Sequence, residues 1–370
     1  MEHQDYKKEA NFIVGILGEN YLQRKLIGQA LGSPDMKSDI EIFGRLDSNL
    51  GQVFCALTPI DYPEKIKPLL QVLKMSKIHL LTIDIEVGLN AVIGEILVSM
   101  DIMHKLYNTK GLVVIAGINS KTEWKLPKLR VQIEEILATT SLNRIEIIEI
   151  REKEDYKDLK KKIVEIGTES DNNIENGEYL KILVDHSFPV KGIGTVILGI
   201  VDQGKLVSGE MVEITGYEGP SKKVIVRNIQ KHDRNFKEAY KGDRVGLALK
   251  GNISPNDISR DNIIVSQGIF KQNKEIKANV YISPFYKPKE GIIHQGNGSQ
   301  FHVIVETKSS SFKFVEGEDL IPGKKGVSLM KFDKYLVHDG TGLKGIITEM
   351  NKFEDKLRIL GWFEQLQENQ

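Results

Sequence analysis

The chain has 370 residues, 40% of them hydrophobic and 28% charged, which is enough to bury the cores of two or three domains. Its 51 basic and 51 acidic side chains cancel, so net charge does not indicate a nucleic-acid binder, and one cysteine, Cys55, excludes an internal disulfide and a multi-cysteine metal site. The N-terminus lacks the apolar core of a signal peptide, and no apolar run reaches the roughly 18 residues that a membrane helix needs. We therefore expect a cytoplasmic protein.

The first predicted element is a buried strand over residues 12–17. It is followed by Gly18, a polar turn and an amphipathic helix that begins at about Leu22. A strand, a glycine and a helix in this order outline a phosphate-binding loop.

The chain up to residue 168 continues to alternate between short apolar runs and amphipathic stretches. The runs are predicted as buried parallel strands over residues 52–57, 79–85, 111–118 and 144–150. The stretches between and after them are predicted as helices over residues 63–75, 89–107, 125–140 and 156–167. This alternation predicts a doubly wound α/β domain.

A polar stretch without periodicity, residues 168–178, is interpreted as a linker. Beyond it, short alternating strands separated by glycine turns dominate in two blocks, each of the size of a closed β-barrel. We therefore predict an α/β domain over residues 10–168, a first all-β barrel over 176–268 and a second over 269–368.

The first β block carries a recognisable pattern. VDHSFPVKGIGTVILGIVDQGKLVSGE, residues 184–210, precedes VRNIQKHDRNFKEAYKGDRVGLALKG, residues 226–251. Together they resemble the second domain of translational GTPases, most closely elongation factor Tu and the selenocysteine-specific factor SelB. The resemblance extends over about residues 10–365. It implies that the α/β domain is a P-loop-like G domain followed by two elongation-factor barrels.

The phosphate loop departs from the pattern G-x-x-x-x-G-K-[ST] that binds Mg–GTP. Counted from Gly18, the second glycine is replaced by Gln23, the lysine by Arg24 and the Ser/Thr by Lys25. Gln23 does not share the conformational freedom of glycine, and Lys25 offers no oxygen to a metal ion. Arg24 and Lys25 lie near a predicted helix N-terminus, where they either hold a phosphate or an RNA backbone or belong to a solvated helix face.

The switch motifs of the family are also missing. Residues 1–57 contain no threonine for the first switch, which should lie in residues 33–49. In the D-x-x-G motif and the histidine after it, Leu57 replaces the aspartate, Ile60 the glycine and Asp61 the histidine.

The guanine-reading motif N/T-K-x-D fails as well. Asn119 and Lys121 are present but in the wrong arrangement, and no aspartate follows. The resemblance thus implies a degenerate G domain, a pseudo-GTPase without hydrolysis, and no GTP or magnesium cofactor is expected.

The resemblance implies a pocket for the aminoacylated end of tRNA on the first barrel. The matching positions are Asp185, Phe188, His232 and Arg244. Phe188 offers a stacking face, and His232 and Arg244 offer donors. Equally, Phe188 is interpreted as a core residue, Asp185 as a turn cap, and Arg244 as the partner of a nearby aspartate.

In the second barrel, Ile293 stands where elongation factor Tu has an arginine before its histidine, here His294. Six lysines of this barrel offer positive charge for phosphates, or simply form a solvated face: Lys287, Lys289, Lys313, Lys324, Lys325 and Lys331. No metal-ligand or nucleophile motif competes. Three hypotheses remain: a translation-factor paralogue that binds tRNA or the ribosome, a protein-interaction scaffold, and an atypical GTP-binding factor.

Overall fold

The computed structural model describes residues 9–168, 179–340 and 342–367. The N-terminal residues 1–8, nearly all of the predicted linker and the predicted domain end at residue 368 lie outside the described residues. The chain divides into two compact units between residues 174 and 175, with Lys352–Lys356 counted in the first. Within the described residues, no helix is both long and apolar enough to cross a membrane.

The first unit contains one mixed sheet flanked by helices. Its strands are β1 (Ala10–Gly18), β2 (Ser33–Lys37), β3 (Ile40–Asp47), β4 (Gln52–Pro59), β5 (Ile78–Asp84), β6 (Lys110–Ala116) and β7 (Glu146–Glu149). Its helices are α1 (Tyr21–Leu31), α2 (Ile66–Met75), α3 (Ala91–Tyr107), α4 (Leu126–Ala138) and α5 (Asp155–Thr168).

The strand order is β2-β3-β4-β1-β5-β6-β7, and the five strands from β4 to β7 in this order are parallel. Helices cover both faces of β1. Phe12 faces α5, where the Cβ of an alanine at Gly167 would lie 2.6 Å from its ring, whereas Gly15 faces Val72 and Ser76 at the end of α2. Burial on both faces explains the continuous apolar runs of these strands. The predicted doubly wound fold is confirmed.

The segment aligned with the first switch forms an antiparallel hairpin, β2–β3, which the sequence analysis did not predict as strands. β3 pairs with β4 along its whole length, and Phe43 of β3 is fully buried. Gly28 of α1 allows this burial, because a Cβ there would lie 2.4 Å from the Phe43 ring. The segment is therefore part of the sheet edge, built around a buried aromatic side chain.

The β5 residue His79 is a buried titratable group that the sequence analysis did not single out. Its ring is 1% exposed, and Nε2 lies 2.9 Å from the carbonyl oxygen of Leu73. Desolvation lowers the pKa of His79 to about 4. In the unfolded chain the histidine pKa is about 6.5. Between about pH 4 and pH 6.5, the unfolded chain therefore binds a proton that the folded chain does not bind.

We expect acidification from about pH 6.5 to about pH 4 to destabilise the first unit through His79, by up to about 3 kcal/mol. The stability is present above this window and is lost as the pH falls through it. His79→Gln keeps an N–H donor but does not titrate, so its urea unfolding, followed by helical circular dichroism, should depend less on pH. An unchanged pH dependence in this variant would contradict the assignment.

The second unit begins with a barrel of short antiparallel strands. They are β8 (Lys181–Val190), β9 (Gly194–Gln203), β10 (Lys205–Val207), β11 (Met211–Thr215), β12 (Lys222–Lys231), β13 (Arg234–Phe236), β14 (Glu238–Tyr240), β15 (Arg244–Lys250) and β16 (Ile263–Val265). The order is β11-β16-β8-β9-β15-β12-β13, and pairing of β11 with β12 closes six of these strands into a ring. Inward residues alternate with outward ones, so an aliphatic core fills the interior.

The remaining strands form a second closed barrel. They are β17 (Lys271–Ile282), β18 (Gln300–Val305), β19 (Lys308–Gly317), β20 (Lys325–His338), β21 (Lys344–Thr348) and β22 (Ile359–Gln365), arranged as β17-β20-β19-β18-β21-β22. β20, with 14 residues, is long for a block in which short strands were predicted. Three buried rings, Phe312, Phe332 and Phe363, pack in series at centroid distances of 5.9 Å and 6.1 Å. The predicted pair of β-barrels is confirmed.

Buried charged groups join the two barrels within the second unit. The Nζ of Lys181 lies 3.2 Å from Asp202 Oδ2 on its own barrel and 3.0 Å from Glu306 Oε1 on the other. Lys308 Nζ donates in the opposite direction, to the carbonyl oxygen of Gly216 at 2.6 Å. These contacts link the two barrels through side chains of both.

Candidate functional site

Gly18 shapes the loop after β1. It has a φ of 153°, and a Cβ at this position would lie 2.4 Å from the carbonyl oxygen of Thr82 on β5. Both the backbone conformation and the close contact require glycine. The first glycine of the predicted phosphate loop therefore has a packing role, independent of any bound anion.

We expect Gly18→Ala to lower the free energy of unfolding of the first unit by about 3 kcal/mol, from backbone strain and overpacking together. Gly94→Ala is the matched control, because Gly94 lies in α3 with no atom within 4 Å of an added Cβ. That control should raise stability by about 0.5–1 kcal/mol. Urea unfolding measures both, and equal effects of the two substitutions would contradict the packing role.

The N-terminus of α1 is capped from within the loop. Asn20 Oδ1 accepts from the backbone N–H groups of Leu22 at 2.9 Å and Gln23 at 3.4 Å. Its Nδ2 donates to Asp84 Oδ2 at the end of β5, at 2.7 Å. Two donors that a helix N-terminus offers to a phosphate are thus already used by a side chain.

Carboxylates surround the same loop. Glu19 accepts a hydrogen bond from the side chain of Asn90, and Asp84 Oδ1 accepts from the backbone N–H of Glu86 at 2.9 Å. Two acidic side chains beside the helix N-terminus oppose the approach of a phosphate. The loop thus has the outline of an anion site with two carboxylates beside it.

Arg24 is fully buried, at 0% exposure. Its Nη1 donates to Thr58 Oγ1 at 2.9 Å and to the carbonyl oxygen of Pro59, both at the end of β4. Its Nε and Nη2 are buried and have no hydrogen-bond partner among the described residues. Desolvation lowers the pKa of Arg24 to about 10, so the guanidinium stays charged at neutral pH.

This burial differs from both expectations for Arg24, a surface phosphate contact and a solvated helix face. Its side chain turns inward from α1 and joins the helix to the strand that carries the former D-x-x-G motif. Lys25, in contrast, is partly exposed. The helical period explains the difference, because Arg24 shares the inward face of α1 with Ile27, Gly28 and Leu31.

The positions of the former D-x-x-G motif and the following histidine have structural roles. Leu57 is fully buried in β4, and the backbone N–H of Ile60 donates to the carbonyl oxygen of Asp39 at 2.9 Å. Asp61 pairs with Lys65 at 2.7 Å near the start of α2. Within the described part of the chain, no three His, Cys, Asp or Glu side chains form a group that could hold a metal ion.

The turn after β6 satisfies its own polar groups. Asn119 Nδ2 donates to the carbonyl oxygen of Gly117 at 3.0 Å, and its Oδ1 accepts from the backbone N–H of Lys121 at 2.9 Å. Thr122 Oγ1 also donates to Gly117 O, at 3.0 Å. The Thr122 hydroxyl thus lies where the guanine-binding aspartate of the motif would follow. The hydrogen bonds of the turn are made within the turn itself.

On the first barrel, the structure brings Asp185 and Arg244 together. Arg244 Nη2 lies 3.1 Å from Asp185 Oδ2, and both side chains are mostly buried. Arg260 Nε adds a hydrogen bond to the carbonyl oxygen of Asp185 at 3.3 Å. Pairing of Arg244 with a nearby aspartate, Asp185, is thus observed, and the adjacent Asp243 pairs with Lys231 at 3.0 Å.

His232 and Phe188 take different places relative to this pair. His232 lies in the two-residue turn between β12 and β13, and pairing of Gln230 with Gly246 puts this turn level with Arg244. Phe188 pairs with Val196, whereas Arg244 pairs four residues further along β9, with Ile200. A separation of four residues is about 13 Å along a strand, so partly exposed Phe188 lies apart from the other three positions.

Three residues that hold the loop and Arg24 in place were missed by the sequence analysis: Asn20, Thr58 and Asp84. Asn20 stands immediately before a helix, which is a readable N-cap signal. Thr58 and Asp84 follow apolar strand residues, but no local pattern assigns them to Arg24 and Asn20.

The comparisons with known proteins agree with this architecture. The model of the family "Elongation factor Tu domain 2" matches residues 194–258. The structure of translation elongation factor SelB from Methanococcus maripaludis, in complex with the GTP analogue GppNHp, superposes on this chain with a TM-score of 0.78. The match covers 98% of this chain and 80% of the SelB chain, at 21% identity. A bacterial selenocysteine-specific elongation factor gives 0.77 at 18% identity, over 96% of this chain and 58% of that one. Fold and barrel together define a translation-factor architecture.

Two relatives in sequence show which members of this class the chain resembles. An uncharacterised protein of Methanocaldococcus jannaschii is 30% identical over 315 residues, which cover 85% of this chain and 89% of that protein. The selenocysteine-specific elongation factor of the same organism is 31% identical over 191 residues, or 51% of this chain and 39% of that factor. The chain belongs to the translational GTPase superfamily, in which it is SelB-like.

Proposed function

We propose that this protein is a SelB-like translation-factor paralogue that binds tRNA or the ribosome without a GTP cycle. It would act as a pseudo-GTPase, in which the G domain keeps its fold and no longer binds Mg–GTP. The domain arrangement would then be controlled by the RNA partner, because no γ-phosphate is present to switch it.

The observation that carries the loss of GTP binding is the internal use of the phosphate-loop donors. The N–H groups of Leu22 and Gln23 bind Asn20, and the Arg24 guanidinium, at the position of the phosphate-binding lysine, donates to Thr58 and Pro59. Nucleotide binding would have to break these bonds and to bring phosphates beside Asp84.

Support for an RNA partner comes from the second domain. Arg244 is held by Asp185 at the end of the first barrel that also carries the His232 turn. Arg244 matches a basic position in the family's pocket for the aminoacylated end of tRNA. An arginine oriented by a carboxylate is well suited to contact an ester, a carboxylate or a phosphate.

Calorimetry with GTP and GDP in the presence of Mg²⁺ tests the first part of the proposal. We expect no binding at nucleotide concentrations up to about 1 mM, because Asn20 occupies the backbone N–H groups of Leu22 and Gln23, and the Asp84 carboxylate beside them repels a phosphate. Binding in the micromolar range, or nucleotide that co-purifies with the protein, would instead favour an atypical GTP-binding factor.

Filter binding with aminoacylated and deacylated tRNA tests the second part. We expect salt-sensitive binding with a Kd below about 10 µM. His232→Ala, in the turn level with Arg244, should weaken binding of the aminoacylated form. Phe188→Ala, which removes a ring about 13 Å along the strand from that level, should not. Absence of binding would contradict the RNA role, and a protein partner that persists after ribonuclease treatment would favour the scaffold alternative.

A further inference from the structure

The second barrel exposes large apolar side chains at one end, next to a set of lysines. Phe285 is 53% exposed and Ile321 41% exposed, and Val327 lies on the same outward face of β20 as Lys325. We call this surface the basic-apolar patch. Its members are Phe285, Lys287, Lys289, Ile321, Lys324, Lys325 and Val327.

Two loops distant in sequence meet in the patch. The backbone N–H of Gly323 donates to the carbonyl oxygen of Ile282 at 2.8 Å, and the N–H of Ile282 donates to Lys324 O at 3.4 Å. A Cβ at Gly323 would lie 3.6 Å from Pro284. The turn after Leu320 is therefore bonded to the end of β17, beside the loop that carries Phe285.

Two of the three exposed apolar side chains, Phe285 and Ile321, lie next to a buried anchor. Tyr286 is buried beside Phe285, and its hydroxyl donates to Glu349 Oε1 at 2.8 Å. Leu320 is buried beside Ile321, and it exchanges backbone hydrogen bonds of 2.9 Å and 3.0 Å with Ile293. Phe285 and Ile321 are thus held out to solvent by well-anchored loops, as in a preorganised binding surface.

The lysines of the patch are not neutralised. Among the described residues, none of the four forms an ion pair, and Lys325 lies over the Trp362 ring at 5.2 Å. The carboxylates on the neighbouring loops, Glu290 and Asp319, lie 3.2 Å and 2.9 Å from the two ring nitrogens of His294. Within the described part of the chain, the four lysines of the patch therefore have no carboxylate partner within 4 Å.

We propose that the basic-apolar patch docks a protein partner through an acidic segment with large apolar side chains. The four lysines complement carboxylates, and Phe285, Ile321 and Val327 offer apolar contact area at the centre. Two of these three are aliphatic and no arginine is present, whereas the bases of RNA are recognised by stacking on aromatic rings and arginine planes. This docking surface does not depend on the proposed RNA binding or on the loss of GTP binding.

The other exposed lysines of the barrel have a different environment and supply a matched control. Lys313 and Lys331 lie opposite each other on β19 and β20, and Glu275 of β17 lies opposite Lys331 on the other side. Lysine-to-glutamate changes at this pair alter the net charge as much as the same changes at Lys324 and Lys325.

Fluorescence anisotropy with three labelled probes tests the proposal on the full chain. The probes are a synthetic peptide that alternates Glu with Leu and Phe, the same peptide with Ser in place of Leu and Phe, and an oligouridine of equal charge. We expect the first to bind best, and Lys324→Glu/Lys325→Glu to weaken it by about tenfold or more. Phe285→Ser should weaken it with charge unchanged, and Lys313→Glu/Lys331→Glu should alter its Kd by less than about twofold.

Four results would overturn the proposal. They are no binding of the first peptide, equal binding of the serine peptide, tighter binding of the oligouridine, and equal weakening by the two double variants. Circular dichroism of each variant shows whether the barrel is intact, and the exposed positions chosen should leave it so.

Discussion

Arg24→Ala is expected to lower the free energy of unfolding of the first unit by about 3 kcal/mol. Arg24 is the largest of the fully buried side chains, so truncation leaves a cavity between α1 and β4. It also leaves Thr58 Oγ1 and the carbonyl oxygen of Pro59 without their donor. Urea unfolding followed by helical circular dichroism measures the loss, since all the described α-helices belong to this unit.

Arg24→Met should have a much smaller effect, with a free energy of unfolding within about 1 kcal/mol of the wild-type value. Methionine fills much of the volume, and it removes a buried cation whose Nε and Nη2 have no partner among the described residues. No described carboxylate pairs with Arg24. The positive charge should therefore add little to the free energy of unfolding beyond what the packing of the side chain supplies. A loss as large as that of the alanine variant would contradict this, and it would mean that the hydrogen bonds of the guanidinium stabilise the unit more than its packing does.

The second large effect is expected at the buried pair of the first barrel, where Arg244→Ala should cost about 3 kcal/mol because it leaves Asp185 uncompensated. The Asp185 side chain is 4% exposed and lies 3.1 Å from Arg244 Nη2. Fluorescence of Trp362 in a Trp124→Phe background reports on the second unit, since the chain has two tryptophans and one lies in each unit.

A double-mutant cycle separates this pair from its surroundings. Asp185→Ala combined with Arg244→Ala should destabilise by less than the sum of the single changes, by at least about 1 kcal/mol. Strict additivity would mean that the two side chains do not interact in solution.

The same arginine should matter for RNA beyond its effect on stability. Lys181→Ala, which breaks another buried ion pair of this unit, is the control for destabilisation alone. We expect Arg244→Ala to weaken tRNA binding by about 2 kcal/mol more than Lys181→Ala. Equal weakening would assign Arg244 a purely structural role.

Much of the fold was predictable from local patterns. Apolar runs such as residues 12–17 and 111–118 are parallel strands because a strand covered on both faces needs apolar side chains at every position. Short alternating strands separated by glycine turns predicted the two barrels, and the resemblance carried by residues 184–251 implied the same architecture. In contrast, the β2–β3 hairpin was missed, since its outer strand is short, polar and exposed, as an edge strand is expected to be.

The candidate sites were less predictable because they depend on contacts between distant segments. The sequence by itself determined that the Mg–GTP motifs are missing, because motif chemistry resides in residue type and spacing. Only the tertiary structure decided that Arg24 is buried on Thr58 and Pro59, and that Arg244 pairs with Asp185, which lies 59 residues away in the chain.

The basic-apolar patch shows the same division most clearly. The sequence showed the lysines, but the turn that contains Lys324 is brought to the loop that contains Phe285 by backbone hydrogen bonds to Ile282. Hydrophobic periodicity and secondary-structure propensity depend on residues that are neighbours along the chain. The charge and apolar area that meet on one surface depend instead on how strands pair across a barrel.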